Sequence, residues 1–208
     1  MTYVPRAFQI EETAAAHRLI TENNFGLLIA NGADGIEVSH LPFLLDPSRG
    51  DLGHLRCHVA KANPIWRALE NGPVQAVFSG PHAYISPDWY ATANLVPTWN
   101  YTAAYVHGAA RAMTAEELDA LLTDLTDAEE GRLAGKTPWS VASVPETSLA
   151  PMRQAIVGID IAITRIDGKA KMSQNRAARD REGVVQALRA IDTQDARAVA
   201  SLVEAVKD

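Results

Sequence analysis

Cysteine is nearly absent from this chain. Cys57 is the only one, so no intrachain disulfide can form, and a reducing cytoplasm is the expected setting. No run of about 18 apolar residues occurs, which excludes a membrane-crossing helix. The opening MTYVPRAFQIEET has no apolar middle of the kind a secretory leader carries. Basic residues are outnumbered, 19 against 25 acidic for a net charge of −6. That balance disfavours a surface built for nonspecific nucleic-acid binding. Gly-x-Ser-x-Gly, His-Glu-x-x-His and dinucleotide-binding signatures are all missing. Gly131-Arg-Leu-Ala-Gly135-Lys136-Thr137 has three residues between its glycines where a P-loop needs four, and Pro138 follows. His54 and His58 sit on a strand-like stretch, which separates them by about 13 Å at roughly 3.3 Å per residue, so they are no metal pair. Cys57 faces the apolar side of that stretch and reads as a small core residue.

What is present suits a globular protein. The 208 residues are 47% hydrophobic and 21% charged, enough to bury a real core in a single domain, residues 1–208, closed by C-terminal helices over about 178–208. Aromatic residues make up only 6% of the chain, yet Tyr84, Trp89, Tyr90, Trp99 and Tyr101 crowd into Gly80–Tyr101. Pro81, Pro87 and Pro97 in that stretch oppose a helix and favour short extended pieces joined by stiff turns. Such a surface suits a planar ligand with hydrogen-bonding edges; an aromatic mini-core beneath a long loop is the alternative. Basic charge concentrates at Arg165, Lys169, Lys171, Arg176, Arg179 and Arg181, with only Asp167 and Asp180 among them. A solvated helix face, a phosphate site or a partner site would each explain that island.

Periodicity orders the rest. Residues 9–22 predict a helix, and Phe25–Ala30 with Ile36–Leu45 predict a hairpin across Asn31–Gly35. Leu55, Cys57 and Val59 alternate as in a half-buried strand. Asn63 caps a short helix that has Pro64 at its first position. Val74, Ala76 and Phe78 alternate again, and Thr102–Met113 predicts a strand interrupted at Gly108. Thr114 and Glu117 form a capping box. Residues 131–151 read as a loop around Trp139, and Ile156–Ile166 is the clearest strand. Two helical patterns end the chain, with Asp192 as a cap for the second. Strands dressed by helices at the ends and between them predict an α+β barrel or curled sheet.

Six segments together resemble one family. They are Tyr3-Val4-Pro5 with Phe8, His40–Phe43, His58–Pro64, Gly80–Tyr90, Val96–Tyr101 and Lys169–Asn175. In this order, over residues 1 to about 190, they resemble the PaiB-type FMN-binding negative transcriptional regulators. The resemblance implies a split β-barrel related to pyridoxamine-phosphate oxidases and flavin reductases. It also implies a homodimer with FMN near the subunit interface, and repression of genes that include those for sporulation and secreted proteases. Two positions depart from the family pattern: Ala91–Asn94 lacks a lysine, and Met172 stands where leucine is usual.

Carried onto this sequence, the resemblance implies a cofactor site drawn from His58, Lys61, Asn63, Ser86, Trp89, Tyr90, Trp99, Asn100, Lys169, Lys171, Ser173, Gln174 and Asn175. The chemistry of those residue types agrees. Lysines and serine hydroxyls suit a phosphate, tryptophan and tyrosine rings suit the flat flavin, and carboxamides suit its polar edge. Lys169, Lys171 and Ser173 share one side of an extended segment and can converge on one anion. A flavin-dependent oxidoreductase is the alternative function, and a haem-binding or haem-degrading split barrel a further one. A protein partner is possible. No helix-turn-helix pattern is evident, so direct DNA binding is not expected.

Overall fold

A computed structural model describes residues 2–206. Eight strands and five α-helices organise them: β1 Gln9–Ile10, α1 Thr13–Glu22, β2 Phe25–Gly32, β3 Gly35–Pro42, β4 Leu44–Asp46, β5 His54–Ala60, β6 Val74–Ile85, β7 Thr98–Ala112, α2 Ala115–Glu130, α3 Glu146–Gln154, β8 Ile156–Lys171, α4 Ala178–Ile191 and α5 Gln194–Glu204. Short 3₁₀ turns cover Arg6–Phe8, Pro64–Asn71, Pro87–Trp89 and Val141–Ser143. The sheet order is β3-β2-β6-β7-β8-β5-β4, with β1 added beside β8. The residues group into two compact units.

The first unit holds residues up to Glu22, Ser79–Tyr105 and residues from Asp167 onward. Its core joins the two closing helices to the aromatic stretch: Ile85, Tyr90, Met172, Val184, Val185, Leu188, Val199 and Val203 are buried together. Met172 is 2% exposed among them, so an unbranched thioether fills a leucine-sized place at little cost. The helical patterns at the end of the sequence are α4 and α5. Their junction differs from expectation: Asp192 closes α4 in a left-handed conformation (φ 58°), and Thr193 caps α5 by accepting from Ala196 N at 3.2 Å. Lys207 and Asp208 lie outside the described residues.

Helix α1 begins at Thr13, not at residue 9. Gln9 and Ile10 instead pair with Lys169 and Gly168. That ladder is set by residues far away in sequence, which local periodicity does not register.

The second unit comprises Asn23–Phe78 and Val106–Ile166. The hairpin forms as expected, with Gly32 opposite Gly35 at its tip. In β5, Leu55, Cys57 and Val59 are buried and their neighbours are not, the alternation the sequence shows. Burial pushes the Cys57 thiol well up from its ordinary value, as befits an inert core residue. The capping box at Thr114 is present in full. Strand β7 continues through Gly108 without interruption. Glycine is needed there because a Cβ would lie 2.5 Å from the Ala162 carbonyl oxygen. Part of the expected loop is helical: α3 runs through Pro151, whose missing amide costs only one bond in so short a helix.

Candidate functional site

Most of the candidate residues lie in the first unit, where the end of β6, the start of β7 and the end of β8 carry them. Ser86 caps the turn after β6, accepting from Asp88 N at 3.4 Å. The loop that follows is pinned to α4. Asp180, 2% exposed, accepts from Thr92 N at 2.8 Å and from Thr92 Oγ1 at 2.9 Å. Burial alone would raise the Asp180 pKa; the Thr92 bonds more than offset it and hold it below the ordinary value. Thr92, in the segment that departs from the family pattern, is therefore a structural anchor.

Trp99 opens β7 on its outer side, 53% exposed. Tyr84 meets it edge-on, with ring centroids 6.0 Å apart, and His82 lies tilted at 6.1 Å. Asn100, the next residue, points the other way and is fully buried. Its Nδ2 donates to Ser173 Oγ at 3.0 Å, and Ser173 Oγ stands 3.3 Å from Asn100 Oδ1. Ser173 adopts φ 60°, a conformation uncommon for a residue with a side chain. Gln174 braces this turn, accepting from Met172 N at 2.7 Å and donating to the Ala170 carbonyl. Asn175 is exposed.

Lys169 and Lys171, two residues apart on β8, share one side of the strand. Lys169 is 7% exposed. Its ammonium lies 4.9 Å from the Tyr101 ring centroid and 5.5 Å from that of Tyr3. Lys171 donates to Thr98 Oγ1. Burial lowers the Lys171 pKa, and the charges of Lys169 and Arg176 push the same way while Tyr101 opposes them. No carboxylate forms an ion pair with either lysine among the described residues. Buried cations without a counter-ion are costly, so this cluster suits an anionic group such as a phosphate.

Trp89 and Tyr90 take a different place. Tyr90 is 8% exposed within the helical core, and Trp89 packs against that core. Among the described residues the buried Tyr90 hydroxyl has no aligned hydrogen-bond partner, and the Arg176 guanidinium carbon lies 5.2 Å from its ring centroid. Burial raises the Tyr90 pKa, with Arg176 offsetting part of the effect.

The remaining three candidates belong to the second unit. Asn63 is engaged at both ends, accepting from Ile65 N at 3.0 Å and donating to Ser39 Oγ at 2.8 Å. Lys61 is exposed, and its carbonyl accepts from Trp66 Nε1 at 3.0 Å. Among the described residues the buried His58 Nδ1 has no hydrogen-bond partner, and burial lowers the ring's pKa.

Residues outside the sequence-derived set also stand at the lysines: Tyr3, Thr98, Tyr101 and Arg176. Thr98 and Tyr101 flank Trp99-Asn100, and Arg176 directly follows Asn175, so motif adjacency could have added them. Tyr3 lies in the first of the family segments, but nothing in that segment points to Lys169, because the two are 166 residues apart.

An antiparallel sheet of this order with peripheral helices, carrying an aromatic and cationic cluster on neighbouring strands, defines the class: an α+β split β-barrel of the flavin-binding kind. Two solved structures share the fold. The flavocytochrome Anf3 of Azotobacter vinelandii aligns with a TM-score of 0.56 at 16% identity, over 81% of this chain and 72% of that one. The FAD and heme binding protein of Mycobacterium smegmatis gives 0.56 at 16% identity, over 78% and 73%. Residues 2–165 match the family described as "Putative FMN-binding domain", and the chain belongs to that family, whose cofactor is FMN. A relative from Bacillus subtilis (strain 168), "Protease synthase and sporulation protein PAI 2", is 32% identical over 203 residues, 97% of this chain and 96% of its own. Among the described residues no helix is long and apolar enough to cross a membrane, and no group of three or more His, Cys, Asp or Glu side chains could hold a metal ion.

Proposed function

We propose that this chain is an FMN-binding regulatory protein that works as a homodimer in the cytoplasm, in the manner suggested by the sporulation-protein name of its Bacillus relative. The observation that carries the reading is the pair of Lys169, buried beside Tyr101, and half-buried Lys171, bonded to Thr98, with no carboxylate paired to either among the described residues. These two lysines, with Arg176 close by, hold the FMN phosphate, and Trp99 with Tyr84 offers the flat wall for the ring system. Asn100, Ser173 and Gln174 keep the turn after β8 rigid, so that the cations are preorganised. FMN, when bound, supplies a redox-active ring, and its state biases which partner the protein meets. Exposed apolar side chains favour a two-fold pairing of like surfaces: Tyr84 and Trp99 in the first unit; Phe25, Ile36 and Val38 in the second.

The deciding experiment is a pair of fluorescence titrations, with FMN and with riboflavin, which lacks the phosphate. Lys169→Gln should weaken FMN binding about tenfold or more, the scale of a lost charged hydrogen bond, and leave riboflavin binding unchanged. Equal loss for both ligands would remove the phosphate from this place. Sedimentation that shows only a 22.5 kDa species at micromolar concentration, with and without FMN, would refute the dimer.

A further inference from the structure

The sequence-derived site leaves out the residue that lies over its most buried cation. Lys169 has three N–H donors. Among the described residues its one acceptor is the Tyr3 carbonyl oxygen, at 3.5 Å, the far limit of a hydrogen bond. The Tyr3 ring lies on the same ammonium, 5.5 Å from nitrogen to centroid, within the range of a cation–π contact. Tyr3 is itself 82% exposed; it gains little from its own burial. The segment that carries it is lightly held. Pro5 and Phe8 close one 3₁₀ turn, and two residues, Gln9 and Ile10, pair with Lys169 and Gly168. The pairing needs a glycine: a Cβ on Gly168 would lie 2.8 Å from Ile10 Cβ.

We propose that Tyr3, carried by the strap Tyr3–Ile10, is a wall of the anion site, and that the strap and a phosphate monoester stabilise each other on Lys169. This rests on the reading that Lys169 meets the FMN phosphate. Without an anion, the docked strap covers an ammonium that has lost water and gained only a long bond and two ring faces. That is unfavourable for a buried charge. An anion on the free donors neutralises the ammonium, so covering it costs less. The docked strap in turn excludes water and strengthens the attraction between ammonium and phosphate. Coupling of this kind is reciprocal: whatever the anion adds to strap docking, the strap adds to anion affinity. Tyr3 is thus a positioning and shielding residue, acting through its ring on Lys169.

Trypsin reads the strap directly, because Arg6 lies within it. With the full-length chain, cleavage after Arg6 is followed by mass spectrometry in the absence of ligand, with saturating FMN, with inorganic phosphate and with riboflavin. The expected result is about threefold or greater protection by FMN, a smaller protection by inorganic phosphate and none by riboflavin. Tyr3→Ala should raise the FMN Kd about fivefold, the scale of one cation–π contact, with riboflavin binding and the apo melting temperature unchanged. Tyr3→Phe keeps the ring and should restore binding. Gly168→Ala displaces the strap without touching a ligand group and should reproduce the Tyr3→Ala loss. Unchanged cleavage at saturating FMN, protection by riboflavin equal to that by FMN, or wild-type FMN affinity in Tyr3→Ala would each overturn the strap. If FMN binds and Lys169→Gln weakens it while these results hold, the strap alone fails. If wild-type protein binds no FMN, both readings fail together.

Discussion

Gly183 of α4 faces the backbone of Trp89 so closely that a Cβ at this position would lie 2.0 Å from the Trp89 carbonyl oxygen. No real Cβ approaches an oxygen to that distance, and the obstacle is backbone, which cannot rotate aside. The glycine therefore sets how near α4 comes to the turn Pro87–Trp89, and through it the seat of Tyr90 in the helical core. Gly183→Ala, which on propensity alone would stabilise a helix by about 1 kcal/mol, should instead destabilise by about 1–3 kcal/mol through overpacking. Denaturant unfolding measures this directly, and a stabilised variant would mean that the helix can shift without penalty.

Asp160 should govern acid stability in the second unit. Its carboxylate is 3% exposed. It accepts from Arg49 Nη1 and Nη2 at 2.9 and 3.0 Å and from Arg111 Nη2 at 3.0 Å, and His54 Nδ1 lies 3.2 Å away. Burial opposes ionisation, but the bonds and charges of Arg49 and His54 outweigh it and hold the pKa below the ordinary 3.8. A depressed carboxylate contributes stability above its unfolded pKa and loses it as pH falls through the folded one. Wild-type stability should therefore fall below about pH 4, and Asp160→Asn should flatten that slope. At neutral pH the substitution should cost about 2 kcal/mol, less than a fully buried pair because both arginines are partly exposed. Urea unfolding from pH 7 to pH 3 tests both statements.

Much of this was legible because it is local. The Leu55/Cys57/Val59 alternation, the Thr114–Glu117 box and the Asn63 cap each use residues within a few positions of one another, and each forms as the pattern predicts. Three of the differences share one cause. Gln9 and Ile10 are recruited by β8, Gly108 answers to Ala162 on a neighbouring strand, and Tyr3 meets Lys169 across the length of the chain. None of these relationships leaves a trace in a window of sequence. The candidate site was partly legible through composition. Trp99 and Tyr90 look alike in a list of aromatics, and only the fold shows that one is exposed while the other is core.

On the proposed reading, that difference separates a candidate ligand wall from a packing residue. Trp99 is 53% exposed, so Trp99→Ala should leave the apo melting temperature within about 2 °C and weaken FMN binding about fivefold, the scale of one aromatic stacking contact. Tyr90 is 8% exposed in the helical core, so Tyr90→Ala should cost about 3 kcal/mol of stability. Thermal melts of the two variants without ligand, followed by FMN titration of each, provide the comparison. A large drop in the apo melting temperature for Trp99→Ala would make Trp99 structural and remove it from the site.

The isolated protein should not bind DNA tightly or with sequence preference. Its acidic residues exceed its basic ones, 25 to 19, and the one basic island does not present a common face. Arg176 lies over the Tyr90 ring, Arg179 donates to Thr92 Oγ1 at 3.3 Å, and Arg181 donates to the Arg176 carbonyl at 2.8 Å. Lys169 is buried between tyrosine rings and Lys171 is bonded to Thr98. A duplex contact of ~6 phosphates needs its cations aligned and free to meet the backbone, and these point into their own structure. On the proposed reading, any control of transcription runs through the flavin and a protein partner. Anisotropy titration at ~150 mM salt, where nonspecific binding is already weak, with fragments upstream of this chain's own gene should give no nanomolar, sequence-dependent complex. Such a complex, lost when Arg176, Arg179 and Arg181 are neutralised, would establish direct repression and show that the island rearranges on DNA.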